Sequence, residues 1–260
     1  MHALAPWELC VLVLVGGAAG FVNTVAGAGS LLSLRALMLM GLPAPIANGT
    51  NRIPILAQSL VASFAFRKAG KLPRAAIVAA SVPACFGAAA GSVAASYVPD
   101  RPMRYVLIVV LFFVGVLGLR KSKRAASNEA LSEEAVVALC KAPKTAGWLF
   151  FAGAYGGFLQ AGVGLVILYA LASVGGLDLV RSNALKVVVV AIFSIVACGV
   201  FVARGQVVWT AAVAMACGSV VGARLAVAYA LAWAERLKVF VVVVDVVACA
   251  ALLGQEITSK

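Results

Sequence analysis

Two short polar stretches interrupt a chain that is otherwise strongly apolar. The first, NTVAGAGS (residues 23–30), carries Asn23, Gly27, Gly29 and Ser30; the second, YGGFLQAGVG (155–164), carries Gln160, Gly162 and Gly164. Glycine lets a backbone turn and lets a ligand come close. A helix that restarts after such a break, near Ser30, points unpaired N–H groups at it, and a helix N-terminus favours an anion. The same four glycines would also serve close packing of helices. A second pair of stretches follows: ANGTNR (47–52), with Asn48, Thr50, Asn51 and Arg52, and SNALK (182–186), with Asn183 and Lys186. Polar and charged groups in apolar surroundings are costly unless partnered. The asparagines therefore line a site or lace neighbouring helices, and Arg52 and Lys186 either balance a ligand's charge or snorkel outward. Arg35, inside SLLSLRALML, is an anion ligand or a salt-bridge partner. Arg224 and Asp245 flank a turn near residues 234–235 at similar distances, so in a helical hairpin they stand at matching depth, about 15 Å in at 1.5 Å per residue. They form a static ion pair or an ion-coupling site. The remaining acids Glu8, Asp100, Asp178, Glu235 and Glu256 fall at segment ends, where solvation is expected.

Catalytic signatures are missing. His2 is the one histidine, carboxylates are not paired at catalytic spacing, and there is neither a nucleotide loop nor a dinucleotide fingerprint. The six cysteines stand singly, without the spacing of a metal site, and read as small apolar packing residues. No cofactor or metal is expected.

The elements that position these residues are membrane helices. Of the 260 residues 64% are hydrophobic and 12% charged, where soluble domains have about 45–50% and about 25%; mean hydropathy is +1.08. Lys and Arg number 21 against 9 acids, for a net +12. The basic residues gather in short runs between apolar segments, which is a topology signal and not a nucleic-acid footprint. The N-terminus MHALAPWELC lacks the positive region of a cleaved signal peptide, so the first apolar segment is expected to stay. Spans of about 20 apolar residues are expected at 7–26, 45–66, 75–98, 103–119, 146–161, 184–203, 207–233 and 237–254. Shorter apolar pieces, 28–40 and 163–175, follow the two glycine breaks.

A shift of 135 residues superposes the two halves without a gap. Gly27 and Gly29 fall on Gly162 and Gly164, Gly41 on Gly176, Asn48 on Asn183, Phe66 on Phe201, Gly70 on Gly205, Gly87 on Gly222 and Arg101 on Arg236. The loop RKAGKLPR (67–74) is rich in positive charge and its mate VARGQV (202–207) is not, so equivalent loops are expected on opposite sides of the membrane. The expectation is an all-α polytopic bundle of two homologous, inverted repeats, 1–119 and 146–260, each beginning with a broken or re-entrant helix pair. A solvent-side linker, 120–145, joins them on the cytoplasmic side together with the 67–74 loop. Inverted repeats with interrupted helices are a transporter arrangement, with sites near the midplane, because broken backbone survives in lipid only when enclosed by protein or lining a wet cavity.

The residues also resemble a known family. NTVAGAGSLLSLRALMLMGLPAPIANGTNR followed by RKAGKL, then GAYGGFLQAGVG, GGLDLVRSNALK and VARGQVVW, look like the two halves of the sulfite exporter TauE/SafE family of membrane permeases. The resemblance covers nearly the whole chain apart from the linker. It implies a multi-pass carrier of the bacterial inner membrane that moves small sulfur-containing anions such as sulfite, sulfonates or sulfoacetate, with export as the direction. Carried over by position, the substrate region falls on Asn23, Gly27, Gly29, Asn48, Thr50 and Asn51, with Gly162, Gly164, Asn183 and Lys186 opposite. Arg35 stands where the family usually has a proline. The expected partners are a small anion and the bilayer, not nucleic acid; a homodimer stays open. The rival expectations are a transporter of an unrelated solute, which for a cation would want inward carboxylates or thiols, and a membrane scaffold, which has no use for two matched helix breaks.

Overall fold

The computed structural model describes residues 5–25, 27, 29–103, 105–106 and 131–232, and its regular elements there are helices. They are α1 (Pro6–Val25), α2 (Ser30–Leu39), α3 (Ala44–Thr50), α4 (Arg52–Lys68), α5 (Ala76–Ser96), α6 (Glu133–Lys141), α7 (Pro143–Phe158), α8 (Val163–Leu168, running on as a π-helical stretch Tyr169–Val174), α9 (Leu179–Ala203) and α10 (Trp209–Ala232). Among the described residues α1, α5, α9 and most of α10 are long and apolar enough to cross a membrane, and α6 with α7 makes a further candidate bent by 70°. The chain is an all-α, multi-pass membrane protein. The expected segment 237–254 lies outside the described residues, as does 103–119 from residue 107 onward.

Helix ends follow local chemistry. The Asp178 carboxylate accepts from the N–H groups of Val180 (3.1 Å) and Arg181 (3.0 Å), a side-chain cap that starts α9 at Leu179. This is ahead of the expected 184, so Asn183 and Lys186 lie inside α9, not at its entrance. Asp100 accepts from the Ala44 N–H (2.7 Å) at the start of α3. Both acids thus bind helix N-termini, where simple solvation was expected. At the other end, α4 and α9 close alike. Gly70 (φ +68°) and Gly205 (φ +65°) are left-handed, and Lys71 N–H reaches Phe66 O (3.2 Å) as Gln206 N–H reaches Phe201 O (2.9 Å). These are glycine-terminated caps that satisfy the last carbonyls.

The described left-handed glycines recur at one spacing: Gly27 and Gly162, Gly41 and Gly176, Gly70 and Gly205 are each 135 residues apart. The same shift carries α1 onto α7 and α5 onto α10. The packing respects it, for α1 lies along α10 as α7 lies along α5, and α4 and α9 meet between them. Both outer pairs are glycine seams. A Cβ on Gly218 would lie 1.8 Å from Val13 O and one on Gly20 2.4 Å from Ser219 O; one on Gly157 would lie 2.3 Å from Ala88 O and one on Gly91 2.0 Å from Ala154 O. Gly16/Gly20, Gly218/Gly222, Gly87/Gly91 and Gly153/Gly157 are GxxxG pairs, one on each of the four helices. In hydrocarbon, where apolar burial draws no helices together, such close backbone approach supplies the dispersion contact.

Part of the expected linker is helical. Of the segment read as a solvent-side linker, residues 120–130 lie outside the described residues, but 133–141 form α6, opened by a cap from Ser132 Oγ to Ala135 N–H (3.2 Å). Val136 and Cys140, one turn apart, bury in the cluster that α5 shares with α7 and α9. Their spacing gives the helix one apolar face, and that face docks.

Candidate functional site

The two helix breaks touch each other. A Cβ added to Gly27 would lie 2.5 Å from Gly164 Cα, and one added to Gly164 would lie 2.4 Å from Gly27 Cα, so backbone meets backbone. Gly27 (φ +84°) and Gly162 (φ +70°) are left-handed, and so is the non-glycine Gln160 (φ +61°), a conformation that is strained for a side-chain-bearing residue. Ser30, first residue of α2, hooks one break to the other: its Oγ donates to Gln160 O (3.1 Å) and accepts from Gly162 N–H (3.1 Å). Tyr155 donates its hydroxyl to Ala161 O. The Gly27 N–H donates to Asn23 O (2.8 Å). In this conformation the Gly27 and Gly162 donors, expected to face an anion, are engaged within the protein. Gly29 packs on α1, where a Cβ would meet Ala19 O at 1.9 Å.

Two buried cations flank the crossing. Arg52, the first residue of α4, is fully buried; Nη1 donates to Gly156 O and to Gln160 Oε1 (2.6 Å), and Nη2 to Gly157 O (2.7 Å) and Asn48 Oδ1 (3.2 Å). Its guanidinium carbon sits 4.8 Å from the Phe201 ring centroid. Asn48 Nδ2 donates to Phe158 O (2.8 Å). Arg52 and Asn48 together therefore cap the C-terminal carbonyls of α7. Lys186, on α9, does the same for α1: its Nζ donates to Asn23 O (3.2 Å) and Thr24 O (3.1 Å) and is 1% exposed. Snorkelling, one expectation for this pair, does not occur. A cation suits a helix C-terminus, which offsets part of the several kcal/mol that burying a charge costs. Among the described residues no carboxylate is within ion-pair distance of either.

A cavity of about 10 Å³ opens beside the crossing, with Asn23, Thr24, Gly27, Gln58, Ser59 and Lys186 among its walls; that volume holds about one water. Gln58, Ser59 and Thr24 were not singled out from the sequence, although Gln58–Ser59 is a polar interruption in the middle of α4. Ser59 also has a mate at the 135-residue shift, Ser194, which accepts from Gln160 Nε2 (3.1 Å).

Of the residues expected from the sequence, Asn23, Gly27, Gly164 and Lys186 meet at the cavity, while Ser30, Asn48, Arg52, Gln160 and Gly162 form the adjoining cluster. Others stand apart. Thr50 Oγ1 accepts from Val208 N–H (3.0 Å) and so ties α3 to the start of α10. Asn51 is buried with neither amide atom hydrogen-bonded among the described residues, and Asn183 Oδ1 is likewise without a partner. Arg35 is half-buried on α2 and does not line the cavity. Arg224 is exposed on α10; Asp245 lies outside the described residues, and with it the expected pair.

Comparison with known proteins bears on what this arrangement serves. Residues 12–252 match the family described as sulfite exporter TauE/SafE. Relatives of nearly full length include "Probable membrane transporter protein YfcA" of Escherichia coli (strain K12), 27% identical over 264 residues that span 99% of this chain and 95% of the relative. "Probable membrane transporter protein ORF9" of Sinorhizobium sp is 25% identical over 262 residues, 98% of this chain and 95% of the relative. A "Probable membrane transporter protein" of Haemophilus influenzae is 25% identical over 218 residues, 84% and 83%. No solved structure matches. The chain belongs to the sulfite exporter TauE/SafE family, multi-pass membrane transporters of the bacterial inner membrane.

Proposed function

We propose that this transporter carries a small sulfur-containing anion such as sulfite, a sulfonate or sulfoacetate, outward, by alternating access between two inverted repeats. The observation that carries the reading is Lys186: a fully buried ammonium whose partners among the described residues are backbone carbonyls, on the wall of a small cavity between two helix breaks that Asn23, Gln58 and Ser59 line together with Val163, Val187 and Val190. A helix C-terminus brings roughly half a negative charge, so the site keeps a net positive field that an anion would complete. Asn23, Gln58 and Ser59 offer further donors to the oxygens of a sulfur oxyanion. Among the described residues no carboxylate stands beside Lys186 to hold a cation substrate. The sulfur class comes from the family's description.

The paired left-handed glycines and the exchange of helix partners at the 135-residue shift support the repeat reading. The cavity, at about 10 Å³, is a closed conformation, smaller than any of these anions. Admission requires the Gly27–Gly164 contact to part, and a contact without interlocking side chains is suited to such movement. The test is flux of sulfite, sulfoacetate and taurine in proteoliposomes containing the full chain. Saturable flux of at least one is expected. Failure of all three with protein that still melts cooperatively overturns the proposal, and flux of a metal cation instead would favour the unrelated-solute reading.

A further inference from the structure

The transport reading uses Lys186 and its cavity and leaves the second buried cation without a ligand. The 135-residue shift carries the α1 break to the α7 break, Ser59 to Ser194, and Lys186 to Asn51, the neighbour of Arg52. On the Lys186 side, Lys186 and Ser59 both line the small cavity. On the Arg52 side the corresponding space holds the Gln160 side chain, whose Oε1 accepts from Arg52 Nη1 at 2.6 Å and whose Nε2 donates to Ser194 Oγ at 3.1 Å. Gln160 is the residue with a left-handed backbone. Arg52 Nε and both amide atoms of Asn51 are buried without hydrogen-bond partners among the described residues.

We propose that Arg52 heads a second anion half-site, taking an oxygen of sulfite or a sulfonate, and that the Gln160 carboxamide is its resident occupant. This rests on the transport reading above. A carboxamide oxygen is a neutral stand-in for an oxyanion oxygen, at the short spacing that cationic donors favour. Two features let a substrate displace it. An anion answers the guanidinium's charge where an amide offers only a dipole, and Nε, without a partner among the described residues, stands ready as an additional donor. Ser194 then donates to a second anion oxygen. When the anion leaves, Gln160 returns and keeps the empty cation solvated without admitting water. The substrate passes from the Lys186 half-site to the Arg52 half-site across the Gly27–Gly164 crossing.

The test is sulfite binding by calorimetry to the purified full chain and its variants. Gln160→Ala vacates Arg52 and should tighten sulfite binding about tenfold. Lys186→Gln should weaken it, and the double variant Lys186→Gln/Gln160→Ala should regain it. Adding Arg52→Gln to Gln160→Ala should erase the gain. A Gln160→Ala protein that melts cooperatively and binds sulfite no better than wild type, with a double variant that binds none, overturns the second half-site. If Gln160→Ala does not fold, Gln160→Glu decides: a carboxylate fixed on Arg52 should raise the melting temperature and cut sulfite flux about tenfold, and unchanged flux overturns the proposal. Wild-type flux separates the two ideas, because a wild type that binds and carries sulfite while Gln160→Ala gains nothing sinks only the inference drawn here.

Discussion

Replacing Lys186 with methionine separates a ligand role from a structural one, because the two predict different signs. The ammonium makes two hydrogen bonds, to Asn23 O (3.2 Å) and Thr24 O (3.1 Å). Asn23 O keeps its bond from the Gly27 N–H (2.8 Å), so the loss leaves the buried Thr24 carbonyl bare, at a cost of about 1–3 kcal/mol. Against this, methionine fills a similar volume and removes a buried charge whose desolvation costs several kcal/mol. The terms nearly cancel, so the melting temperature of Lys186→Met should move by only a few degrees, equivalent to within about 2 kcal/mol. Binding behaves otherwise. An anion oxygen about 4 Å from the ammonium gains about 4 kcal/mol at an effective dielectric of 20, and losing it weakens Kd by about a thousandfold. Calorimetric sulfite titration of wild type and variant, alongside thermal melts, reads both quantities. A variant that melts far lower yet binds sulfite within about threefold of wild type would make Lys186 a helix cap and nothing more, and would remove the central support of the proposed function.

Gly27→Ala places a Cβ 2.5 Å from Gly164 Cα on a residue with φ +84°; left-handed strain and overpacking together should cost about 2–5 kcal/mol and abolish flux, measured by melting and proteoliposome assay. Ser30→Ala strips the hydroxyl that bridges Gln160 O and Gly162 N–H and should cost about 1–3 kcal/mol in a chemical or thermal melt. Gly157→Val, with its Cβ 2.3 Å from Ala88 O on the facing backbone, should part α5 from α7 at a cost of about 3 kcal/mol. Gly199→Ala is the matched control: nothing lies within 4 Å of its Cβ, and its melt should stay within about 1 kcal/mol of wild type or rise.

The breaks at 26–29 and 159–162, the short helices that follow them and the apolar spans could be read from composition and glycine spacing, because those signals are local. Partners could not. Whether Arg52 and Lys186 snorkel depends on where α4 and α9 run, and the start of α9 was set at 184 and not at Leu179 because Asp178 was read as a solvated acid at a segment end and not as a cap. The glycine seams were visible as four GxxxG pairs, yet in a chain with 25 glycines such pairs do not name their partner helix. Gln58 and Ser59 were overlooked because two polar residues in mid-helix look incidental until the crossing of α1 and α8 brings a cavity to them. Val136 and Cys140 show the same limit from the other side: an apolar pair in a charged linker counts for little until α5 presents a face to cover it.

On the proposed reading of this chain as an anion transporter, the choice of partners for the two cations matters. A carboxylate beside Lys186 or Arg52 would cancel the charge outright, and a substrate would then have to break an ion pair before it could bind. A bare cation would be too costly to bury. Carbonyls at the ends of α1 and α7 lie between these extremes, since they supply oxygen ligands and about half a charge each. The empty site is thereby stable enough to fold and still short of neutral, which leaves a driving force for one anion. That balance exists only where a helix ends inside the membrane with its carbonyls free. The interrupted helices are then as necessary for holding the cations as for admitting the substrate, and the glycines that break them serve both ends.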